Sequence, residues 1–340
     1  MGGGPTCWVL DHPAHLQLFQ SFIQDGSSVD IIVATNRFEI DAMLSDPNNP
    51  LPQRHIVRVP RPVGRKVLPI QREFRAFKRL RIVTSILKRR RLTGKPIEKI
   101  ICKGAPLELR AAKKAKIERR IYLTDTEVNH LAHRHALSAA TEVILSANWR
   151  EHLDGGFHAA CKEQGIKIHQ LEGELPHTYL TQPETSRLPI EEGVPSIFFR
   201  SLLGGGIHDK QELVSASPLI PNLGMEVVSM AENQPITDPW GLPRHVSEFD
   251  GVLSESVTIA HEAVCQGIPT LLVSKAQRGF LDAYLGTGLL FRIDSTVKGP
   301  TLNHEVAAWR EAVQMKRRGG GIAVGWSNCR SELNRIINSS

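Results

Sequence analysis

Short unbroken apolar runs alternate with segments of helical period along most of the chain. "TCWVL" opens the pattern, and "DHPAHLQLFQSFIQDG" follows with Leu16, Leu18, Phe19, Phe22 and Ile23 at helical spacing. "VDIIVAT" is a continuous apolar run between a Gly-Ser-Ser turn and Asn36, the pattern of a parallel strand buried on both faces. The proline-rich, basic stretch from Pro47 to Pro69 reads as loop with one short strand at "HIVRV". Strands are then predicted at "EKIICKG", "ERRIYLTD" and "TEVILSA", with a helix at "PLELRAAKKAK" between the first two. A proline- and glycine-rich stretch near Gly173 to Gly193 marks a domain junction. Beyond it the alternation restarts with "PSIFFR", a glycine turn and helix, "MEVVSM", "DGVLSE", a helix from Val257, "PTLLVS", a further helix and "LLFRI". Two successive βα alternations predict an α/β protein of two Rossmann-like parallel-sheet domains, residues 1–178 and 179–340.

A length of 340 residues, 41% hydrophobic and 23% charged, suits two globular domains. No apolar run reaches the roughly 18 residues that span a bilayer, and "CWVL" is too short for a signal segment, so a cytoplasmic protein is expected. Cys7, Cys102, Cys161, Cys265 and Cys329 are odd in number and without a CxxC pair, which predicts buried free thiols. The net charge of +7 is unevenly placed. Between Arg54 and Arg120, 23 Lys and Arg stand against 4 Asp and Glu, a net of +19, which leaves −12 for the rest. Such a segment suits an anionic partner: a membrane surface, nucleic acid or a phosphorylated substrate. Within it "REFRAFKRLRIVTSILKRRR" reads as a basic amphipathic helix with Phe74, Phe77, Leu80, Val83 and Ile86/Leu87 on one stripe. That helix either docks on its own core or lies on anionic lipid at the inner face of the membrane. With only Phe74 and Phe77 as aromatics before Tyr122, the segment lacks a base-stacking platform, so nucleic acid is the weaker expectation.

Ligands of open α/β sheets bind beyond the carboxyl ends of strands, so the residues just after each strand are the candidates. After "DGVLSE", Ser256 is placed to cap a helix with Thr258 in its first turn, and the free N–H groups there suit a pyrophosphate. Glu262, four residues after Thr258, falls on the same face one turn deeper, where a carboxylate accepts hydrogen bonds from the vicinal hydroxyls of a ribose. After "PSIFFR", Arg200 and the run Gly204, Gly205, Gly206 suit an anion, and Asp209 with Glu212 has capping-box spacing. After the first strand, Asp11 or His15 could deprotonate an acceptor hydroxyl, while His12 and His15 could instead cap the helix. Asp125, Glu127 and Glu255 are secondary candidates, although Thr124 and Glu127 have capping-box spacing too. The histidines of "NHLAHRH" (His130, His133, His135) share no face as a set and form no familiar ligand pattern, so no metal is expected.

"SESVTIAHEAVCQGIPTLLV" resembles the donor-nucleotide helix of GT-B glycosyltransferases such as the peptidoglycan N-acetylglucosaminyltransferase, and more distantly UDP-N-acetylglucosamine 2-epimerases. More closely, "DHPAHLQLF", "KGAPLELRAA", "LTDTEVN", "GELPHTYL", "FFRSLLGGGIHD" and "GTGLLF" resemble the family labelled domain of unknown function 354, predicted glycosyltransferases, over most of residues 7–293. The resemblance implies a GT-B-like fold, two such domains facing a central cleft, and transfer of a sugar from a UDP-sugar to a lipid-linked or otherwise anionic acceptor without a cofactor. Retaining GT-B enzymes often space two glutamates eight apart, whereas Glu255 and Glu262 are seven apart, so that motif is not carried over. A nucleotide-sugar epimerase or hydrolase of the same architecture, and a nonenzymatic nucleic-acid binder, are the alternatives.

Overall fold

A computed structural model of the chain describes residues 4–339 apart from 53, 62–67, 105, 184–192, 203–212, 232, 233, 235, 297 and 298. The chain divides into two compact units, one of residues 1–179 with 328–340 and one of residues 180–327. Among the described residues no helix is long and apolar enough to cross a membrane.

The first unit is built on seven strands, all parallel: β1 (Thr6–Leu10), β2 (Ile31–Thr35), β3 (His55–Val59), β4 (Lys99–Lys103), β5 (Arg119–Thr124), β6 (Glu142–Leu145) and β7 (Lys167–Gln170). Their order is β3-β2-β1-β4-β5-β6-β7. The interleaved helices are α1 (Pro13–Gln24), α2 (Phe38–Ser45), α3 (Pro69–Leu92), α4 (Pro106–Lys114), α5 (His130–Leu137) and α6 (Phe157–Glu163). Every residue of β1, β2 and β6 is buried, as continuous apolar runs require when helices cover both faces. The strand order reverses between β1 and β4, and the crevice past their carboxyl ends is where such a sheet takes a ligand.

The second unit has five parallel strands, β8 (Ser196–Ser201), β9 (Glu226–Ala231), β10 (Gly251–Ser254), β11 (Thr270–Val273) and β12 (Leu290–Ile293), in the order β12-β11-β10-β8-β9. Its helices include α7 (Leu242–Ser247), α8 (Val257–Cys265), α9 (Gly279–Asp282) and α10 (Pro300–Arg317). Here the reversal falls between β8 and β10. Helix α10 lies close on the sheet at Gly251, where a Cβ would come within 2.5 Å of Val313 Cγ2. Trp309, fully buried on α10, donates its indole N–H to Pro269 O at 3.1 Å. All five cysteines are buried and free.

Two sequence expectations are corrected. Residues 328–340 belong to the first unit rather than to a 179–340 domain, because α11 (Cys329–Asn338) buries Leu333, Ile336 and Ile337 there. The carbonyls of its last turn accept from Arg119 (2.6 and 2.5 Å) and from Lys99 Nζ (2.9 Å), cations at the end of a helix whose dipole favours them. The single apolar stripe on α3 is also corrected. Val83 and Leu87 enter the core, whereas Phe74 and Phe77 are exposed. Successive steps of three residues each fall about 60° short of a full turn, so a stripe built on them winds to the opposite side of the helix between Phe74 and Val83.

Leu333→Ala should cost about 2–5 kcal/mol. Hydrogen exchange should then speed up in Lys99–Lys103 and Arg119–Thr124 while β8 to β12 keep their protection; the converse pattern would show α11 stabilising the other unit.

Candidate functional site

At the switch point of the first unit a buried cation organises several charged groups. Arg79, on α3 and buried, donates from Nη1 to Asp11 Oδ1 at 2.9 Å and to Thr35 Oγ1 at 2.9 Å, and from Nε to Glu108 Oε1 on α4. Thr35, at the end of β2, also donates to Asp11. Burial alone would raise the Asp11 carboxyl, but the Arg79 charge and the hydrogen bonds from Thr35 and Arg79 outweigh it and hold Asp11 well below the usual carboxylate range. Glu108 shows the opposite balance, burial pushing it up against the pull of Arg79.

His12 and His15 sit at the start of α1. His12 is its N-cap, Nδ1 accepting from Ala14 N–H at 3.2 Å. His15 Nδ1 accepts the Asp11 N–H at 3.2 Å, so the neutral ring carries its proton on Nε2. Burial first, then the nearby Lys103 ammonium, lower His15 to about 3 against the pull of Asp11 and Asp125. His15 is therefore neutral near pH 7. Lys103, at the end of β4, pairs with Asp125 after β5 at 2.6 Å. Asp11, His15 and Asp125 are thus gathered by the ends of adjacent strands.

Glu127 does not take part in a capping box with Thr124. Helix α5 starts only at His130, Thr124 lies in β5, and the buried Glu127 accepts the Arg150 N–H at 3.2 Å. His133 stacks on Phe157 with ring centroids 4.2 Å apart, and burial lowers it to about 4, so it packs as a neutral ring. His130 Nδ1 lies 3.3 Å from Asp154 O.

In the second unit, the ends of β8 and β10 lie side by side, with Arg200 paired to Ser254. Arg200 Nη1 donates to Ala231 O at 3.2 Å. Ser256 is the N-cap of α8, its hydroxyl accepting from Ile259 N–H at 3.5 Å. Thr258 in the first turn is exposed, and Glu262, one turn deeper, is buried. That face of α8 passes from solvent to interior within four residues. The run Gly204, Gly205, Gly206, with Asp209 and Glu212, lies outside the described residues. Glu255 is tied down on both oxygens: Oε2 accepts from Leu202 N–H and Oε1 from Ala216 N–H, each at 2.8 Å, while its own N–H donates to Arg200 O at 3.0 Å. The carboxylate thus ties Leu202 and Ala216 to the turn that carries Ser256.

Sequence reasoning missed Arg79, Glu108, Thr35 and Lys103, and the fastening role of Glu255. The usable signal was spacing, because Arg79, Val83 and Leu87 recur four apart and so share the face that enters the core.

A candidate UDP-N-acetylglucosamine 2-epimerase from Listeria monocytogenes superposes with a TM-score of 0.63 at 11% identity, covering 99% of this chain and 95% of that one. The UDP-GlcNAc 2-epimerase of Methanocaldococcus jannaschii gives 0.58 at 10% identity over 98% and 99%. A UDP-glucosyltransferase from Polygonum tinctorium that glucosylates indoxyl gives 0.55 at 12% identity over 100% of both chains. The fold is GT-B-like. No family model and no curated protein sequence matches the chain.

Arg79→Met leaves the buried Glu108 and the half-buried Asp11 without their cation and should cost about 3–5 kcal/mol in urea unfolding. Between a folded value of about 3 and an unfolded value of about 6.5, His15 binds more protons unfolded than folded, so it makes stability rise with pH across that window. His15→Gln should flatten that part of the pH–stability curve, and an unchanged slope would show His15 protonating freely. Glu255→Gln keeps one acceptor but sets an NH2 group against a backbone N–H; a loss of about 1.5–3 kcal/mol is expected, with faster hydrogen exchange at Leu202 and Ala216.

Proposed function

We propose that the chain is a glycosyltransferase that takes its sugar from a UDP-sugar, holding the donor on residues 180–327 and binding the acceptor on the face of the first unit that carries Asp11. The observation that carries this reading is the amino end of α8. It stands at the reversal point of a parallel sheet, with a capping Ser256, an exposed Thr258 and a buried carboxylate one turn deeper. In this reading the diphosphate meets N–H groups of the first turn and the positive end of the helix dipole, and Glu262 accepts from the ribose hydroxyls. Those same N–H groups stabilise the leaving diphosphate as the sugar departs, so the reading needs no cation or cofactor. Arg200 and the glycine run Gly204 to Gly206 are candidates to contact the same phosphates.

Asp11 and His15 are the catalytic candidates in the acceptor half. A carboxylate held ionised by Arg79 is a weak base, suited to orienting a hydroxyl and taking its proton late, once the new bond to the sugar has made it acidic. His15, protonated on Nε2, offers a donor beside it. Asp125 acts through Lys103 and the electrostatics of His15. The structural neighbours bind or use UDP or UDP-sugars by their names, which supports the donor class. The motifs that resemble the domain of unknown function 354 family favour sugar transfer in this reading.

A nucleotide-sugar epimerase or hydrolase is the second reading, favoured by the full-length likeness to 2-epimerases. The two separate on one measurement. Product formed from UDP-sugar alone supports the second reading, and product that appears only with an added acceptor supports transfer.

Calorimetric titration with UDP tests the donor site directly. Glu262→Ala should weaken UDP binding by about 10–100-fold, the worth of charge-assisted hydrogen bonds, and should abolish discrimination between UDP and 2′-deoxy-UDP. A mutant that still prefers UDP over the deoxy form would remove the ribose role from Glu262.

A further inference from the structure

Helix α3 carries two different faces. The inner one, with Arg79, Val83 and Leu87, is sealed in the core. On the opposite side Ile70, Phe74 and Phe77, spaced four and then three apart, are 76%, 66% and 61% exposed, and Leu68 just ahead of the helix is 60% exposed. The helix has nine Lys and Arg against one acid, Glu73. Arg79 is engaged internally. None of the other eight, from Arg72 to Arg91, forms an ion pair among the described residues.

We propose that this outer face is a docking surface for an anionic lipid bilayer. Large apolar side chains grouped in water on a single helix mark a contact site. The charge around them selects the partner. A second copy would bring the same strongly positive face against itself, and like charges oppose that pairing. A nucleic acid would answer the charge but would leave Leu68 and Ile70 in water, since stacking uses only the two aromatic rings. An anionic bilayer answers both properties: Ile70, Phe74 and Phe77 enter the boundary between headgroups and acyl chains, while Arg and Lys extend along it to the phosphates. Each basic residue near such a surface strengthens partitioning about fivefold at low salt.

Cosedimentation of the full chain with phosphatidylcholine vesicles, with and without phosphatidylserine, tests this. The expected result is partitioning onto phosphatidylserine vesicles that falls as salt rises. Phe74→Ser with Phe77→Ser should reduce it about tenfold or more, and Lys78→Gln with Arg81→Gln should reduce it by roughly an order of magnitude at low salt. Both variants should melt like the wild type, because all four positions are exposed. No partitioning at low salt, equal partitioning onto phosphatidylcholine alone, or an unaltered phenylalanine variant would overturn the proposal. So would a dimer in light scattering that the phenylalanine variant dissociates while neither protein binds vesicles, since that result assigns the face to a second copy.

Discussion

Parallel pairing constrains everything else in this protein. Each strand must be followed by a crossover before the next can pair, so every strand in a sheet ends at the same edge. Where the order reverses, neighbouring crossovers leave to opposite sides and a gap opens at that edge. Asp11 and Lys103 stand at the reversal between β1 and β4, and Arg200 and Glu255 at the one between β8 and β10. Chemistry-bearing side chains collect there because most of β1, β4, β8 and β10 is buried.

The two reversal points handle charge by different means. In the first unit a buried guanidinium binds two carboxyls and a hydroxyl, an arrangement that costs desolvation and is held by multiple hydrogen bonds. Its effect is to hold Asp11 well below the usual carboxylate range, against the desolvation that by itself would raise it. In the second unit the work falls to the backbone. Glu255 accepts two N–H groups, and Ser256 caps α8. A negative side chain placed on backbone donors fixes their position, and the Ser256 hydroxyl accepts the Ile259 N–H at the start of α8. One edge is therefore arranged around fixed charges, the other around oriented dipoles.

How much of this was legible follows from the same physics. "VDIIVAT" and "DGVLSE" announce themselves because strands buried on both faces must be apolar throughout, and both are strands in the fold. The pair of parallel sheets follows from their repetition. Contacts to backbone leave no such trace. Glu255 reads as an acid after a strand, and nothing in the residue types of Leu202 or Ala216 tells that their N–H groups meet it. Arg79 was hidden by its company, one basic residue among many, although its distance from Val83 and Leu87 places it inward. Sequence reasoning placed no helix after "LLFRI", and α11, so far along the chain, carries no local sign of which core receives it.

Helix α3 links these levels, because its two faces have incompatible solvents. Over 24 residues it runs about 36 Å, and near its middle Arg79 is fastened to Asp11 and Glu108 while Val83 and Leu87 fill the core one and two turns on. Removing Arg79 from that site would strand the buried Glu108 carboxyl, at a cost of about 3–5 kcal/mol. Whatever binds the outer face must therefore meet α3 seated on its sheet, not peeled away from it. The exposed phenylalanines belong to a rigid element already ordered by the core, so contact there costs little backbone entropy. The same packing sets the distance from those phenylalanines to Asp11, so a surface bound there would stand at a set distance from that carboxylate.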